Sequence, residues 1–175
     1  MLSIDKNTSF LTRLYVSNAK SYEFIISYAL AVLPITIIQS ILFFVVGIIF
    51  DPGLISINLI FAVLGSILTS LLFIAFGLLF GSFANEKSIG GISSIVIVGQ
   101  SVLSGMWFPI EGLDGIMIKL MNCLPFRNAT IFIQNIVNGY SSFNNDILFP
   151  MLIVLGYTFV VFVLAIIFFK KNMQK

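Results

Sequence analysis

Charged residues along this chain are confined to a few places, with long apolar runs between them. Glu23 closes a polar N-terminal stretch, and no charge follows until Asp51. Residues 24–50 would measure about 40 Å as a helix, enough for one tilted membrane span. Pro34 lies inside this run and predicts a kink, which neighbouring helices in a membrane can tolerate. A second uncharged run extends from Pro52 to Asn85, with its helix expected to start near Ser56. After Glu86 and Lys87 comes a third run, and a fourth ends at Lys170 and Lys171. The pattern predicts four transmembrane helices, over residues 24–50, 56–85, 88–107 and 147–169. Taking 52–85 as one span places Lys6, Arg13, Lys20, Lys87, Lys170, Lys171 and Lys175 on one side. Only Lys119 and Arg127 then face the other. That asymmetry puts both termini in the cytoplasm of a multi-pass cell-membrane protein.

Residues 107–145 are apolar but nowhere long enough to span. Leu113, Ile116, Met117, Leu120 and Met121 recur at helical spacing, and Pro125 interrupts them. Ala129, Phe132, Ile133, Ile136 and Val137 form a second short stripe, ended by Gly139. Pieces of this length read as a re-entrant or interfacial helical pair, which must be shielded by protein or lie among headgroups. The expected architecture is an all-α polytopic helix bundle with that pair before the last span. Residues 1–22 would form a cytoplasmic amphipathic segment and 23–175 the transmembrane domain.

Composition sharpens this picture. The chain is 59% hydrophobic and 9% charged, where soluble domains hold about 45–50% and 25%. Such a surface suits lipid as solvent, so membrane lipid is an expected partner. A net charge of +2 gives no basic patch for nucleic acid. The chain has no His and a single cysteine, Cys123, which leaves no metal-ligand cluster and no internal disulfide. No cofactor is expected. The first twenty residues carry Lys6, Arg13 and Lys20 and do not read as a signal peptide.

The spans contain no ionisable residue, which argues against a proton-coupled carrier. There is no G-x-x-x-x-G-K-[ST] loop, so any nucleotide hydrolysis is expected in another subunit and the chain itself is not an enzyme. Glu111 and Asp114 lie outside the spans without a nucleophile or base beside them and read as solvated. Gly77 and Gly81 form a GxxxG pair, and the third run adds Gly90, Gly91, Gly99 and Gly105. Glycines so placed allow close helix contact, within the bundle or between subunits. Gln39, Asn58 and Gln100 are polar groups in or near spans; they tie helices together or, for Gln39 and Gln100, line a passage. Trp107 falls where an interfacial anchor belongs, and Tyr157 reads as packing. Glu86 and Lys87 form a tight cytoplasmic turn that fixes topology or meets a partner. In the N-terminal segment Phe10, Leu11, Leu14 and Tyr15 share a face beside Arg13. They serve equally well as an interfacial helix or a docking surface.

The stretch Ser104-Gly105-Met106-Trp107-Phe108-Pro109 at the end of a small-residue run resembles the end of the fifth helix in ABC-2 type transporter permeases. A short amphipathic piece, a proline turn at Pro125 and a helix leading to Gly139 follow, as in that family. The basic end of the last run, and residues 10–17 as a coupling stretch, fit as well. Family members usually carry six spans; four are legible here, so the chain looks like the C-terminal portion. The resemblance implies a permease half that pairs with another half, as a homo- or heterodimer, and docks a cytoplasmic ABC ATPase. It implies ATP-driven export of a hydrophobic, drug-like or lipid compound. It assigns coupling to Phe10, Leu11, Arg13, Leu14 and Tyr15, and an outer gate to Trp107, Pro109 and Pro125. It places Gly77, Gly81, Gly99 and Gly105 in packing or the dimer interface. The other readings the residues leave open are a non-transporting accessory or immunity-type membrane protein, or a truncated permease remnant.

Overall fold

The computed structural model describes residues 20–107, 115–140 and 142–173. Six α-helices occur among them, with no strand. They are α1 (Ser21–Phe50), α2 (Ile57–Phe83), α3 (Glu86–Leu103), α4 (Gly115–Cys123), α5 (Pro125–Asn138) and α6 (Phe149–Met173). The chain is thus an all-α membrane helix bundle.

Each helix starts and stops for local reasons. The Lys20 N–H donates to the Glu23 carboxylate at 2.9 Å, fixing the start of α1. After α1, the Asp51 carboxylate accepts from the Gly53 N–H at 2.9 Å and organises a one-turn 3-10 helix, Pro52–Leu54. Extended Ser56 then opens α2. Between α2 and α3 the turn is held by the Asn85 N–H, which donates to the Ser88 hydroxyl at 3.1 Å. Gly105 takes φ 72°, a left-handed conformation that ends α3 without the penalty a Cβ would carry. Gly139 does the same for α5 at φ 91°.

Three helices are long and apolar enough to cross a membrane: α1, α2 and the last, which runs Phe143–Lys171 when its wide first turns are included. The third predicted span is the exception. At 18 residues α3 measures about 27 Å, and its glycines and serines dilute its hydropathy. The predicted short pair is present as α4 and α5, which are bent by 81° at Pro125.

Alignment of the helices follows from what each buries. At the lysine-rich end, Ile25 and Ala29 of α1 meet Ile74 and Leu78 of α2 and Ala165 and Phe169 of α6. Further along, Leu72, Ala129 and Val154 join α2, α5 and α6. At the opposite end Ala62 packs with Phe132, Ile136 and Ile147. Helix α5 therefore runs antiparallel to both α2 and α6 and packs against the pair they form. By contrast α1 presents a lipid-facing row, with Phe43 and Phe50 76% and 86% exposed in the isolated chain.

Close approach of α5 depends on Gly65. A Cβ there would lie 3.0 Å from Ile133 Cδ1 and Phe132 Cε1, and 3.3 Å from Ile136 Cδ1. Ala62, Gly65, Thr69 and Leu72 are buried along the same stripe of α2. Small residues let one helix backbone approach another where lipid offers no hydrophobic drive. Gly65→Leu is expected to cost roughly 1–3 kcal/mol through overpacking. It should appear as a lower unfolding midpoint in mild detergent. Gly77→Leu, where nothing lies within 4 Å of the added Cβ, should leave the midpoint almost unchanged.

Candidate functional site

The helix break at Pro125 is the most unusual chemical environment in the bundle. Pro125 is fully buried, so its turn cannot rely on water for hydrogen bonds. Proline at the first helical position removes one donor that would have been orphaned anyway. The Leu124 N–H donates to the carbonyls of Leu120 and Met121, each at 3.2 Å. Asn128, 5% exposed, turns its amide back across the break. Its Nδ2 donates to the carbonyl oxygens of Asn122 and Leu124, both at 2.8 Å. One buried side chain of α5 thus reaches back to the end of α4 and to the linking Leu124.

The turn sits deep along α2. Phe126 stacks near Phe73 and Phe76, with ring centroids 6.3 and 5.5 Å away. Both partners lie in the half of α2 nearer Phe83, the lysine-rich end. Arg127 follows directly, at a depth where α2 carries no charge and α6 carries none before Lys170. Its Nε and Nη1 are buried and have no hydrogen-bond partner. The charge asymmetry put Arg127 with Lys119 on the side opposite the other basic residues. The structure places it on α5, directly after Phe126.

The far end of α5 is clasped to α6. Asn135 Nδ2 donates to the Asp146 carbonyl at 2.9 Å. The Ser142 N–H donates to Asp146 Oδ2 at 2.9 Å, opening the π-helical turns Phe143–Leu148 that lead into α6. Two apolar cavities flank the pair. One, of about 500 Å³, lies between α2, α5 and the π turns and is lined by Phe61, Gly65, Phe132, Tyr140 and Met151, with Asn58 at its edge. The other, of about 660 Å³, lies between the last turn of α4 and α6, lined by Cys123, Leu152, Gly156, Tyr157 and Val160. Tyr157 also packs on the cluster of Leu72, Ala129 and Val154.

The residues singled out in the sequence are dispersed. Phe10, Leu11, Arg13, Leu14, Tyr15 and Pro109 lie outside the described residues. Glu86 and Lys87 open α3, with Lys87 exposed. Gly81 is buried in α2 while Gly77, its GxxxG mate, is exposed with open space around it. Gly99 likewise has nothing within 4 Å of an added Cβ. Gly105 supplies the positive φ at the end of α3, and Trp107 just beyond is 72% exposed. Gln39 lines a groove of about 320 Å³ between α1 and α2 with Thr36, Ser40, Ser66 and Ser70. The hydroxyls of Thr36, Ser66 and Ser70 return to carbonyls of their own helices. Gln100 sits on α3 and lines none of these three spaces. Of the candidate residues, only Pro125 belongs to the buried turn. Gly65, Asn128 and the depth of Arg127 were missed.

The family model for the ABC-2 family transporter proteins matches residues 1–168. The chain belongs to the ABC-2 transporter family. No curated protein and no solved structure matches the chain. Membership in this permease family accounts for the apolar helices and carries with it partnership with an ATPase subunit in general. The break at Pro125 is therefore a feature of a transport-family membrane domain.

Asn128→Ala removes two side-chain hydrogen bonds to carbonyls, each worth about 0.5–1.5 kcal/mol. That loss should appear as a lower unfolding midpoint in mild detergent. Asn135→Ala, which gives up a single such bond to the Asp146 carbonyl, should lower it less.

Proposed function

We propose that this chain is the membrane-spanning subunit of an ATP-driven export system. The observation that carries the reading is the family match over residues 1–168, which takes in almost every described helix. The chain supplies the path and a partner supplies nucleotide hydrolysis. Residues 1–22 dock that ATPase through Phe10, Leu11, Arg13, Leu14 and Tyr15. The lysine-rich end, with Lys87, Lys170 and Lys171, faces the cytoplasm of the cell membrane, as the charge asymmetry favours. The pair α4–α5 is then re-entrant from the outer side and caps the exit, with Trp107 and Pro109 at its rim.

Assembly follows from unpartnered surface. Gly90, Gly91 and Gly99 give α3 open positions at which a second helix can approach closely. Helix α3 makes only sparse contact with α2 and α5 in its own chain. A second permease half packing there would complete the bundle. The nearly all-apolar cavities beside α5 favour a hydrophobic or lipid-like cargo.

Two results test this. Purification from native membranes in mild detergent should bring down a P-loop ATPase whose turnover responds to added hydrophobic compounds. Joint replacement of Arg13 and Leu14 by Ala should sharply reduce its recovery while membrane insertion persists. Recovery unchanged by that double substitution would remove the docking role. Absence of any ATPase from the wild-type preparation would favour a non-transporting accessory module.

A further inference from the structure

We infer that Arg127 receives an oxyanion, a carboxylate or phosphate carried by an apolar compound, at the Pro125 turn inside the bundle. The inference rests on the export reading for one point only, that this compound is the cargo.

Three observations converge on the turn. First, two of the three guanidinium nitrogens, Nε and Nη1, are buried without a hydrogen-bond partner, on a side chain that is otherwise partly exposed. Burying a charge unpaired costs several kcal/mol, so membrane proteins pair such groups or use them. Second, α2, α4 and α6 offer no counter-charge, and Glu86 opens α3 at the lysine-rich end. Helix α2 has no acidic residue, α6 has none, and the first acid after α5 is Asp146, at the opposite end of α5. Third, the local backbone adds donors. The carbonyls of Asn122 and Leu124 are already taken by Asn128. The N–H groups of Phe126 and Arg127 precede the first intrahelical bond of α5, and no side chain caps them. The positive end of the α5 dipole and the negative end of the shorter α4 dipole meet at the same place. What the turn holds in excess is the unpaired guanidinium, in an apolar setting.

The setting also selects what can reach it. Phe73, Phe76 and Phe126 surround the turn on one side, and the apolar cavity at Cys123 and Tyr157 flanks the end of α4. A small hydrated anion has no favourable path through such surroundings. An oxyanion on a hydrocarbon body can leave its apolar part among these side chains and present its head to Arg127. The residue as a whole is only partly buried, so the site is not sealed. Guanidinium pairs with carboxylate and phosphate through two parallel hydrogen bonds, a geometry that lysine does not reproduce.

The test uses the full chain purified in an uncharged detergent, with thermal unfolding as readout. Laurate, dodecyl phosphate and dodecanol are titrated below their own aggregation limits. The first two should raise the unfolding temperature saturably, and dodecanol should not. Arg127→Met should raise the half-saturating concentration of laurate at least about tenfold. Without additive it should unfold no earlier than wild type, because it removes an uncompensated charge. Arg127→Lys should keep a weaker response. Equal shifts from dodecanol, or an undiminished laurate shift in Arg127→Met, would overturn the proposal as generic amphiphile binding. Early unfolding of Arg127→Met without additive would overturn it differently, by revealing that Arg127 is already paired with an acceptor in the assembled protein. No ATPase is needed, so failure here leaves the export reading intact, and failure to recover an ATPase leaves this result intact.

Discussion

A helix break in the interior of an apolar bundle has no water to complete its hydrogen bonds, and the Pro125 turn is organised around that constraint. Proline removes one donor. Leu124 hands its N–H back to α4, and Asn128 covers two carbonyls with one amide. Once those groups are satisfied, α5 can stand against α2 and α6 as if it were part of a continuous span. Without Asn128 the break would expose backbone to hydrocarbon at a cost comparable to much of a domain's net stability. The 81° bend is the geometric result, and it frees α5 to follow its own packing direction.

Packing then determines how deep the pair sits. Gly65 leaves room for Phe132 and Ile133, Ala62 for Ile136, and Leu72 and Val154 close on Ala129. The α5 stripe of Ala129, Phe132 and Ile136 and the α2 stripe of Ala62, Gly65 and Leu72 are complementary in size. Asn135 and Asp146 fasten the other end. A consequence of this depth is that Arg127 travels with α5 to the level at which its chain neighbour Phe126 meets Phe73 and Phe76. The same packing that stabilises the pair thus positions the one guanidinium among the described residues.

Much of this was legible in the sequence because membrane spans are written in charge-free runs. The boundaries near Glu23, Asp51 and Glu86 come from isolated charges and turn residues, and periodicity with Pro125 gave the short pair. What was not legible concerns which faces meet. Gly77 and Gly81 match a motif, yet only Gly81 is buried, while Gly65 has no second glycine to advertise it. Its signal was the spacing of small residues at 62, 65 and 69 against an aromatic and branched row in α5, which is a relation between two distant segments. Arg127 was read only for the side it faces, because charge asymmetry reports a side of the membrane and not a tertiary position. The third span was overextended because residues 104–107 continue its apolar run, whereas Gly105 ends the helix by its positive φ.

The most direct test of this account is proximity across the α2–α5 seam in native membranes. In a Cys123→Ser background, Ala62→Cys and Ile136→Cys would be combined and treated with a short bismaleimide. The account predicts rapid intramolecular cross-linking of that pair, and none for Phe50→Cys with Ile136→Cys, because Phe50 faces outward at the end of α1. Absence of the first cross-link while both cysteines remain individually reactive would contradict the placement of α5 inside the bundle.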